Sequence, residues 1–156
     1  MPFPSDGVYT IRNVGRGLML DLRGNSTAEG NQIQGYANNG TVAQQWVIKR
    51  QNPPGSANKT ISIQSNNDGN NGNGFFATAS EDSDELVVYT RQAFVVDLVG
   101  RPDDYYSIRY TLGNENLMLS IPGSKHTEVK LENYDIESTR QQWQFVRVSD
   151  LQPLIG

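Results

Sequence analysis

The triplet Gln44-Gln45-Trp46 recurs near the end of the chain as Gln141-Gln142-Trp143, and Gln92-Ala93-Phe94 stands between them. The three copies share the pattern Gln-x-aromatic and lie 48 and 49 residues apart. A fixed period of this length indicates an internal repeat, which has to be recognised before a fold is assigned. The pattern therefore divides the 156 residues into three similar units.

Each triplet is preceded by the same order of apolar segments. An opening segment of strand length contains an isoleucine in every unit, namely Ile11, Ile63 and Ile108. A second short segment follows it, and the three copies are 18–20, 75–77 and 117–119. Runs rich in Val, Ile, Tyr, Phe and Thr alternate with clusters of Gly, Asn, Ser, Asp and Pro, while helical periodicity is almost absent. The sequence thus predicts an all-β chain of about a dozen strands.

The repeats predict three four-stranded units, at about 7–50, 57–98 and 105–148. One such unit cannot bury its own apolar face, so we expect three to close around a shared axis with the aromatic residue of each triplet inside. Closure also removes exposed sheet edges. We therefore predict a single domain over residues 1–156.

Composition excludes several classes of protein. The 17 acidic and 13 basic residues give a net charge of −4, which opposes binding to nucleic acid. No apolar stretch approaches the roughly 18 residues that a membrane helix requires. The absence of cysteine and the single histidine, His126, exclude thiolate and paired-histidine metal sites, so no cofactor or metal is expected. The first residues lack the features of a signal peptide, which predicts a cytoplasmic protein.

The threefold Gln-x-Trp/Phe pattern resembles the signature of the ricin-B-type (R-type) lectin family, and the resemblance extends over nearly the whole chain. Without cysteines or a signal peptide, the chain looks like the cytoplasmic fungal fruiting-body lectins of that family. The resemblance implies a β-trefoil fold and a function in carbohydrate binding. The implied partners are glycoproteins or glycolipids that end in galactose or N-acetylgalactosamine, bound without membrane insertion or catalysis.

The first unit carries the residue types that a sugar site requires. A carboxylate and amides pair with hydroxyl groups, and an aromatic ring packs against the apolar face of a pyranose. By the family's pattern, Asp21 would accept hydrogen bonds from two vicinal hydroxyls, commonly including an axial 4-hydroxyl, and Tyr36 would stack on the ring. Gln34 would match the polar position two residues before the aromatic, and Gln44 would hydrogen-bond Asp21.

One position departs from the family's pattern. The family commonly carries Asn or His directly before the Gln of the triplet, where this chain has Ala43. Amides of Asn38 or Asn39 and the backbone N–H of Gly35 are candidates to replace it. Loss of one hydrogen bond costs about 1 kcal/mol, so the departure bears on specificity more than on the existence of a site.

The other two units lack the carboxylate. Thr78 and Ser120 are in register with Asp21, and only 14 residues separate Thr78 from Gln92, against 23 in the first unit. The third unit retains a longer loop and offers three side chains for a degenerate site, namely Glu132, Asn133 and Tyr134. We therefore expect the principal sugar site in the first unit.

A single weak site agglutinates cells only through avidity, so a defence agglutinin or toxin of this kind is expected to be a homodimer. The alternative function is a serine protease inhibitor, because β-trefoils also present rigid loops. Arg23 or Lys125 would then occupy a trypsin-like primary pocket.

An enzyme is the weakest alternative. Asp103 and Asp104 are adjacent, so their side chains point apart and do not flank a scissile bond. The lone His126 supports no Ser-His-Asp set. The acidic run 81–85 lacks the glycine and spacing of a calcium loop, which favours a solvated hairpin tip.

Overall fold

The computed structural model describes residues 6–26, 28–51, 60–67, 74, 76–79, 87–90, 94–112, 115–122 and 127–149. These residues form twelve β-strands of four to seven residues and four short 3₁₀ turns, with no α-helix among them. The strands are β1 (Gly7–Asn13), β2 (Met19–Leu22), β3 (Ile33–Tyr36), β4 (Trp46–Arg50), β5 (Thr60–Ser65), β6 (Phe76–Ala79), β7 (Val87–Thr90), β8 (Val95–Gly100), β9 (Tyr106–Leu112), β10 (Glu115–Ser120), β11 (Lys130–Asn133) and β12 (Trp143–Ser149). The turns are Arg23–Asn25, Val42–Gln44, Pro102–Asp104 and Thr139–Gln141. The all-β prediction is confirmed.

No helix in the described part of the chain is long and apolar enough to cross a membrane.

The outer strands of each four-stranded unit form a closed ring. Strand β1 pairs with β4, β4 with β5, β5 with β8, β8 with β9, β9 with β12, and β12 returns to β1. All of these pairs are antiparallel. The two middle strands of each unit form a hairpin, and the hairpins are β2–β3, β6–β7 and β10–β11. The ring therefore leaves none of its six strands at a free edge.

The core lies where the three units meet. It contains the isoleucine of each opening strand, namely Ile11, Ile63 and Ile108. Trp46 and Trp143 are completely buried, and Phe94 is partly buried against the same cluster. Burial of one large apolar side chain stabilises the fold by about 1.5–3 kcal/mol, so each of these repeated positions contributes to stability. The single domain expected over residues 1–156 stays a prediction.

Both tryptophans also hydrogen-bond the second strand of their own unit. Trp46 Nε1 donates to the carbonyl of Leu20 at 2.9 Å. Trp143 Nε1 donates to the carbonyl of Leu119, also at 2.9 Å. An indole N–H thus satisfies the equivalent buried carbonyl in the first and third units.

The second unit satisfies its equivalent carbonyl in another way. The side chain of Phe94 has no N–H group, and the carbonyl of Ala77 accepts a hydrogen bond from Tyr110 Oη at 3.2 Å. The rings of Phe94 and Tyr110 are stacked with their centroids 5.2 Å apart. Because Tyr110 lies on β9, the third unit supplies the donor that the second unit lacks.

Candidate functional site

The floor of the candidate site is set by the register of the β2–β3 hairpin. Asp21 lies opposite Gln34, and Met19 lies opposite Tyr36. Because side chains alternate along a strand, Asp21, Gln34 and Tyr36 share one face of the hairpin. The other face carries fully buried residues that enter the core, namely Leu20, Leu22 and Ile33.

A cavity of about 370 Å³ lies over the polar face of this hairpin. Its lining residues are Asp21, Gly24, Asn25, Gln34, Tyr36, Asn39, Thr41 and Ala43. One wall is the 3₁₀ turn Arg23–Asn25, and the other is the segment 39–43, which leads into β4. The volume falls in the range of roughly 300–1,000 Å³ that is typical of small-molecule pockets.

Two glutamine amides hold the carboxylate on the cavity floor. Gln34 Nε2 donates to Asp21 Oδ1 at 3.1 Å, and Gln44 Nε2 donates to Asp21 Oδ2 at 2.9 Å. Gln44 also donates to the carbonyl of Ala37 at 2.9 Å and accepts from the N–H of Asn39 at 3.1 Å. The predicted hydrogen bond between Gln44 and Asp21 is therefore present. Each carboxylate oxygen retains capacity to accept a further hydrogen bond from a hydroxyl group.

The upper part of the cavity combines an aromatic ring, an amide and a methyl group. Tyr36 is 52% exposed, which leaves much of its ring accessible. Asn39 Oδ1 accepts from the N–H of Thr41 at 3.0 Å and from its Oγ1 at 2.7 Å. Asn39 therefore offers its Nδ2 group as a donor. The buried methyl group of Ala43 completes the wall.

The structure corrects the expectation for Gly35. Its N–H donates to the carbonyl of Thr127 at 2.6 Å, and a Cβ at this position would lie 2.5 Å from Ile121 Cδ1. Gly35 thus faces the third unit and is unavailable as a donor to the cavity. Asn38 does not line the cavity either, and its Oδ1 accepts a backbone N–H within its own loop at 3.3 Å. Asn38 and Asn39 are the two amides expected to compensate for Ala43, and of these two Asn39 lines the cavity.

Three lining residues were not predicted from the sequence. Gly24 and Asn25 adopt left-handed conformations, with φ of 62° and 54°, so the chain turns sharply after β2 and contributes one wall. The Gly-Asn pair indicates such a turn, because both residues tolerate positive φ, but not which side of the hairpin it reaches. Thr41 lines the opposite wall, where it hydrogen-bonds Asn39. No pattern in the sequence indicates this role for Thr41.

The other units lack the carboxylate at this position, as expected. Thr78 and Ser120 are both buried there, and Thr78 accepts a hydrogen bond from Thr90 at 3.0 Å. In the third unit, Glu132 forms an ion pair with Arg140 at an N–O distance of 3.8 Å. This carboxylate is therefore already paired with a cation.

Tyr134 and the backbone of Asn133 also make contacts within the third unit and the loop beside it. Tyr134 Oη accepts a hydrogen bond from Arg101 Nη1 at 2.7 Å, and the guanidinium lies 5.6 Å from the centroid of the ring. The carbonyl of Asn133 accepts from Gln141 Nε2 at 2.8 Å. These contacts stabilise the hairpin and its neighbouring loop.

Several other predicted features can also be placed. Asp103 and Asp104 are exposed in a 3₁₀ turn, with φ of 66° and 63°. No cluster of three or more acidic, histidine or cysteine side chains suited to a metal ion occurs among the described residues. Lys125, His126 and the acidic run 81–85 lie outside them.

Among the described residues, three hairpin-bearing units share a common core, and one of them holds a buried carboxylate under a small cavity, an arrangement suited to binding a small polar ligand. The chain belongs to the family described as ricin-type beta-trefoil lectin domain-like, whose model matches residues 3–82, just over half of the chain. This finding confirms the resemblance seen in the sequence. No curated protein matches the chain significantly.

Solved structures confirm the β-trefoil fold. The agglutinin of Rhizoctonia solani superposes with a TM-score of 0.75 at 24% identity, covering 95% of this chain and 99% of that one. The ricin B-like lectin of Macrolepiota procera, solved in complex with lactose, gives 0.72 at 20% identity, covering 95% and 100%. An exo-β-1,3-galactanase from Clostridium thermocellum gives 0.71 at 18% identity, covering 94% and 31%. Family and fold support carbohydrate binding, and the fold also occurs as a part of an enzyme.

Proposed function

We propose that the protein is a non-catalytic lectin that binds terminal galactose or N-acetylgalactosamine in the cavity of the first unit. One observation carries this proposal, namely the buried carboxylate of Asp21, held by two glutamine amides beside the exposed ring of Tyr36. Asp21 accepts hydrogen bonds from two vicinal hydroxyls, while Tyr36 packs against the apolar face of the sugar ring. Asn39 donates to a ligand oxygen. The lactose bound by the Macrolepiota lectin supports a galactose-type ligand.

The positions of Asp21 and Tyr36 support contact of both residues with one sugar. Asp21 and Tyr36 share one face of the hairpin, so one pyranose can present hydroxyls to the carboxylate and its ring to the tyrosine. Hydrogen bonds to a charged group contribute about 1.5–3 kcal/mol, and an aromatic contact about 0.5–1.5 kcal/mol. After the cost of association is subtracted, one site of this kind is expected to bind weakly, with a dissociation constant of millimolar to micromolar order.

We propose binding without turnover. Asp21 is the sole acidic residue among those that line the cavity. Glycoside hydrolysis ordinarily requires two carboxyl groups about 5–10 Å apart, one on each side of the scissile bond. Incubation of the protein with a terminal galactoside should therefore release no free galactose, and measurable release would contradict this part of the proposal.

The direct test is a glycan array together with calorimetric titration of lactose. We expect terminal galactose-type glycans to bind the wild type and not Asp21→Asn, which keeps the shape of the side chain but removes its charge. Tyr36→Ala should weaken binding by about tenfold, since 1.4 kcal/mol corresponds to that factor. Tyr134→Ala is the matched control, because Tyr134 is 48% exposed on the third unit and should leave affinity unchanged.

An empty array for the folded wild type would contradict the lectin proposal and favour protease inhibition. The described candidate for that alternative, Arg23, is exposed and donates to Gln32 Oε1 at 3.0 Å. Trypsin inhibition that disappears in Arg23→Ala, without glycan binding, would establish the inhibitor function.

The biological role that we propose is that of a cytoplasmic defence agglutinin or toxin acting as a homodimer. One weak cavity per chain requires two linked chains to cross-link glycans with useful avidity. Analytical ultracentrifugation at tens of micromolar protein should therefore detect a dimer, and a purely monomeric protein would contradict the agglutinin role.

A further inference from the structure

Two residues of the second unit hydrogen-bond one wall of the cavity in the first unit and the segment that follows the other wall. Asn66 and Asn67 directly follow β5, and we call them the asparagine bridge. The backbone N–H of Asn66 donates to the carbonyl of Gln45 at 3.0 Å, and its Nδ2 donates to Gln45 Oε1 at 2.9 Å. Gln45 directly follows the turn Val42–Gln44, so Asn66 is attached to the chain just after the wall formed by the segment 39–43.

Asn67 is attached to the opposite wall. Its Nδ2 donates to Asn25 Oδ1 at 2.7 Å and to the carbonyl of Asn25 at 3.2 Å. The backbone N–H of Asn67 donates to Ser65 Oγ at 3.0 Å, which fixes the bridge to the end of β5. One amide therefore holds both the side chain and the backbone of a left-handed residue that lines the cavity.

The junction between the third and first units can be compared with the asparagine bridge, because it has the same backbone hydrogen bond but no amide side chains at the two corresponding positions. There the N–H of Val14 donates to the carbonyl of Gln142 at 2.9 Å, which repeats the backbone bond made by Asn66. Val14 and the following Gly15 have no amide side chains. The backbone bond thus recurs as part of the fold, whereas the side-chain bonds of the bridge accompany the cavity.

We propose that Asn67, supported by Asn66, is a positioning residue for ligand binding, so that the second unit completes the site of the first. This inference rests on the proposed function. Without the bridge, the turn Arg23–Asn25 would sample other conformations, and the ligand would have to order it. The apparent dissociation constant would then be the intrinsic constant divided by the competent fraction, which is the fraction of molecules whose turn has the binding conformation.

The test compares Asn67→Ala and Asn67→Asp with the wild type in titrations of lactose. Asn116→Ala is the matched control, because Asn116 is an exposed residue of β10 that accepts one side-chain hydrogen bond, from Thr111 at 2.9 Å. We expect about fivefold weaker binding in Asn67→Ala, corresponding to a competent fraction of about one fifth. The loss should be larger in Asn67→Asp, because a carboxylate has no N–H to donate and repels the two oxygens of Asn25. Asn116→Ala should bind as the wild type does.

Hydrogen exchange provides a readout that does not depend on affinity. The N–H of Ser26 donates to the carbonyl of Arg23 at 3.3 Å and reports on the turn. It should exchange faster in unliganded Asn67→Ala than in the wild type, and saturating lactose should restore slow exchange. A role limited to stability would instead lower the melting temperature of the Asn67 variants with unchanged affinity and unchanged exchange at Ser26, and would overturn the inference.

The outcomes distinguish the two proposals. If lactose does not bind the folded wild type, the proposed function fails and this inference fails with it. If lactose binds the wild type and not Asp21→Asn, while both Asn67 variants bind as the wild type does, the inference alone is wrong.

Discussion

The hydrogen bond from Tyr110 to the carbonyl of Ala77 can be removed by taking away one oxygen atom. Tyr110→Phe keeps the buried ring and its stacking on Phe94 but leaves the carbonyl without this donor. Depriving a buried group of its partner costs about 1–3 kcal/mol. For a domain of this size each kcal/mol lowers the melting temperature by about 2–4 °C, so we expect a decrease of about 2–12 °C.

A second substitution tests whether the loss of stability comes from the unpaired carbonyl of Ala77. Phe94→Trp gives the second unit the indole that the other two units have, and its N–H should donate to the carbonyl of Ala77 in the Tyr110→Phe background. In the wild-type background the larger ring should destabilise, since overpacking a core costs about 1–3 kcal/mol and the carbonyl already has a donor. We therefore expect a coupling energy of more than about 0.5 kcal/mol between the two substitutions.

Urea unfolding and calorimetry of the wild type, both single variants and the double variant complete the cycle. Tyr110→Phe within about 0.5 kcal/mol of the wild type would refute the reasoning, because substitutions with no structural consequence fall in that range. Strictly additive effects in the double variant would show that the indole N–H does not replace the phenol O–H as the donor to the carbonyl of Ala77.

Three further predictions follow from packing and burial. Gly35→Ala should destabilise by about 1–3 kcal/mol in urea unfolding, because the added Cβ would lie 2.5 Å from Ile121 Cδ1. Burial raises the pKa of Tyr110 above its ordinary value near 10, so stability should be complete below that pH and decrease as pH rises beyond it. Urea midpoints measured from about pH 8 to pH 11 should show this decrease in the wild type and less of it in Tyr110→Phe. Gln44→Ala leaves Asp21 with one amide donor fewer and should lower both lactose affinity in titration and stability, the latter by about 1–3 kcal/mol.

The repeat was visible in the sequence because its residues serve the fold. Gln44 donates to the carbonyl of Ala37 and accepts from the N–H of residue 39, which ties the hairpin to the strand that follows. Gln141 does the same in the third unit, where it donates to Asn133 at 2.8 Å and accepts from Asp135 at 2.9 Å. These bonds do not involve a ligand, so the pattern is present even in a unit without the cavity carboxylate.

The floor of the site was predictable for a similarly local reason. Asp21, Gln34 and Tyr36 belong to one hairpin, where the two-residue period places side chains of the same parity on the same face. Sequence spacing within a hairpin is enough to bring such residues together once the strands are recognised.

The walls were less predictable because they depend on contacts between distant residues. Asn25 is held by Asn67, which is 42 residues away and belongs to another unit. The N–H of Gly35 is a candidate donor to the ligand by its place in the sequence, but its partner is Thr127 of the third unit. Neither contact has a signature in the local sequence, since both arise only when the three units assemble.

The bond between Gly35 and Thr127 also limits how far the chain can be shortened. Val129 N–H donates to the carbonyl of Ile33 at 3.1 Å, so the strand that carries Tyr36 is attached at two points to the third unit. Strand β1 likewise pairs with β12 along most of its length, in addition to its pairing with β4. A fragment that ended at residue 82, where the family match ends, would leave these backbone groups unpaired and the core open. The cavity therefore cannot be transplanted as a peptide or as a single repeat, because it is a property of the assembled trefoil.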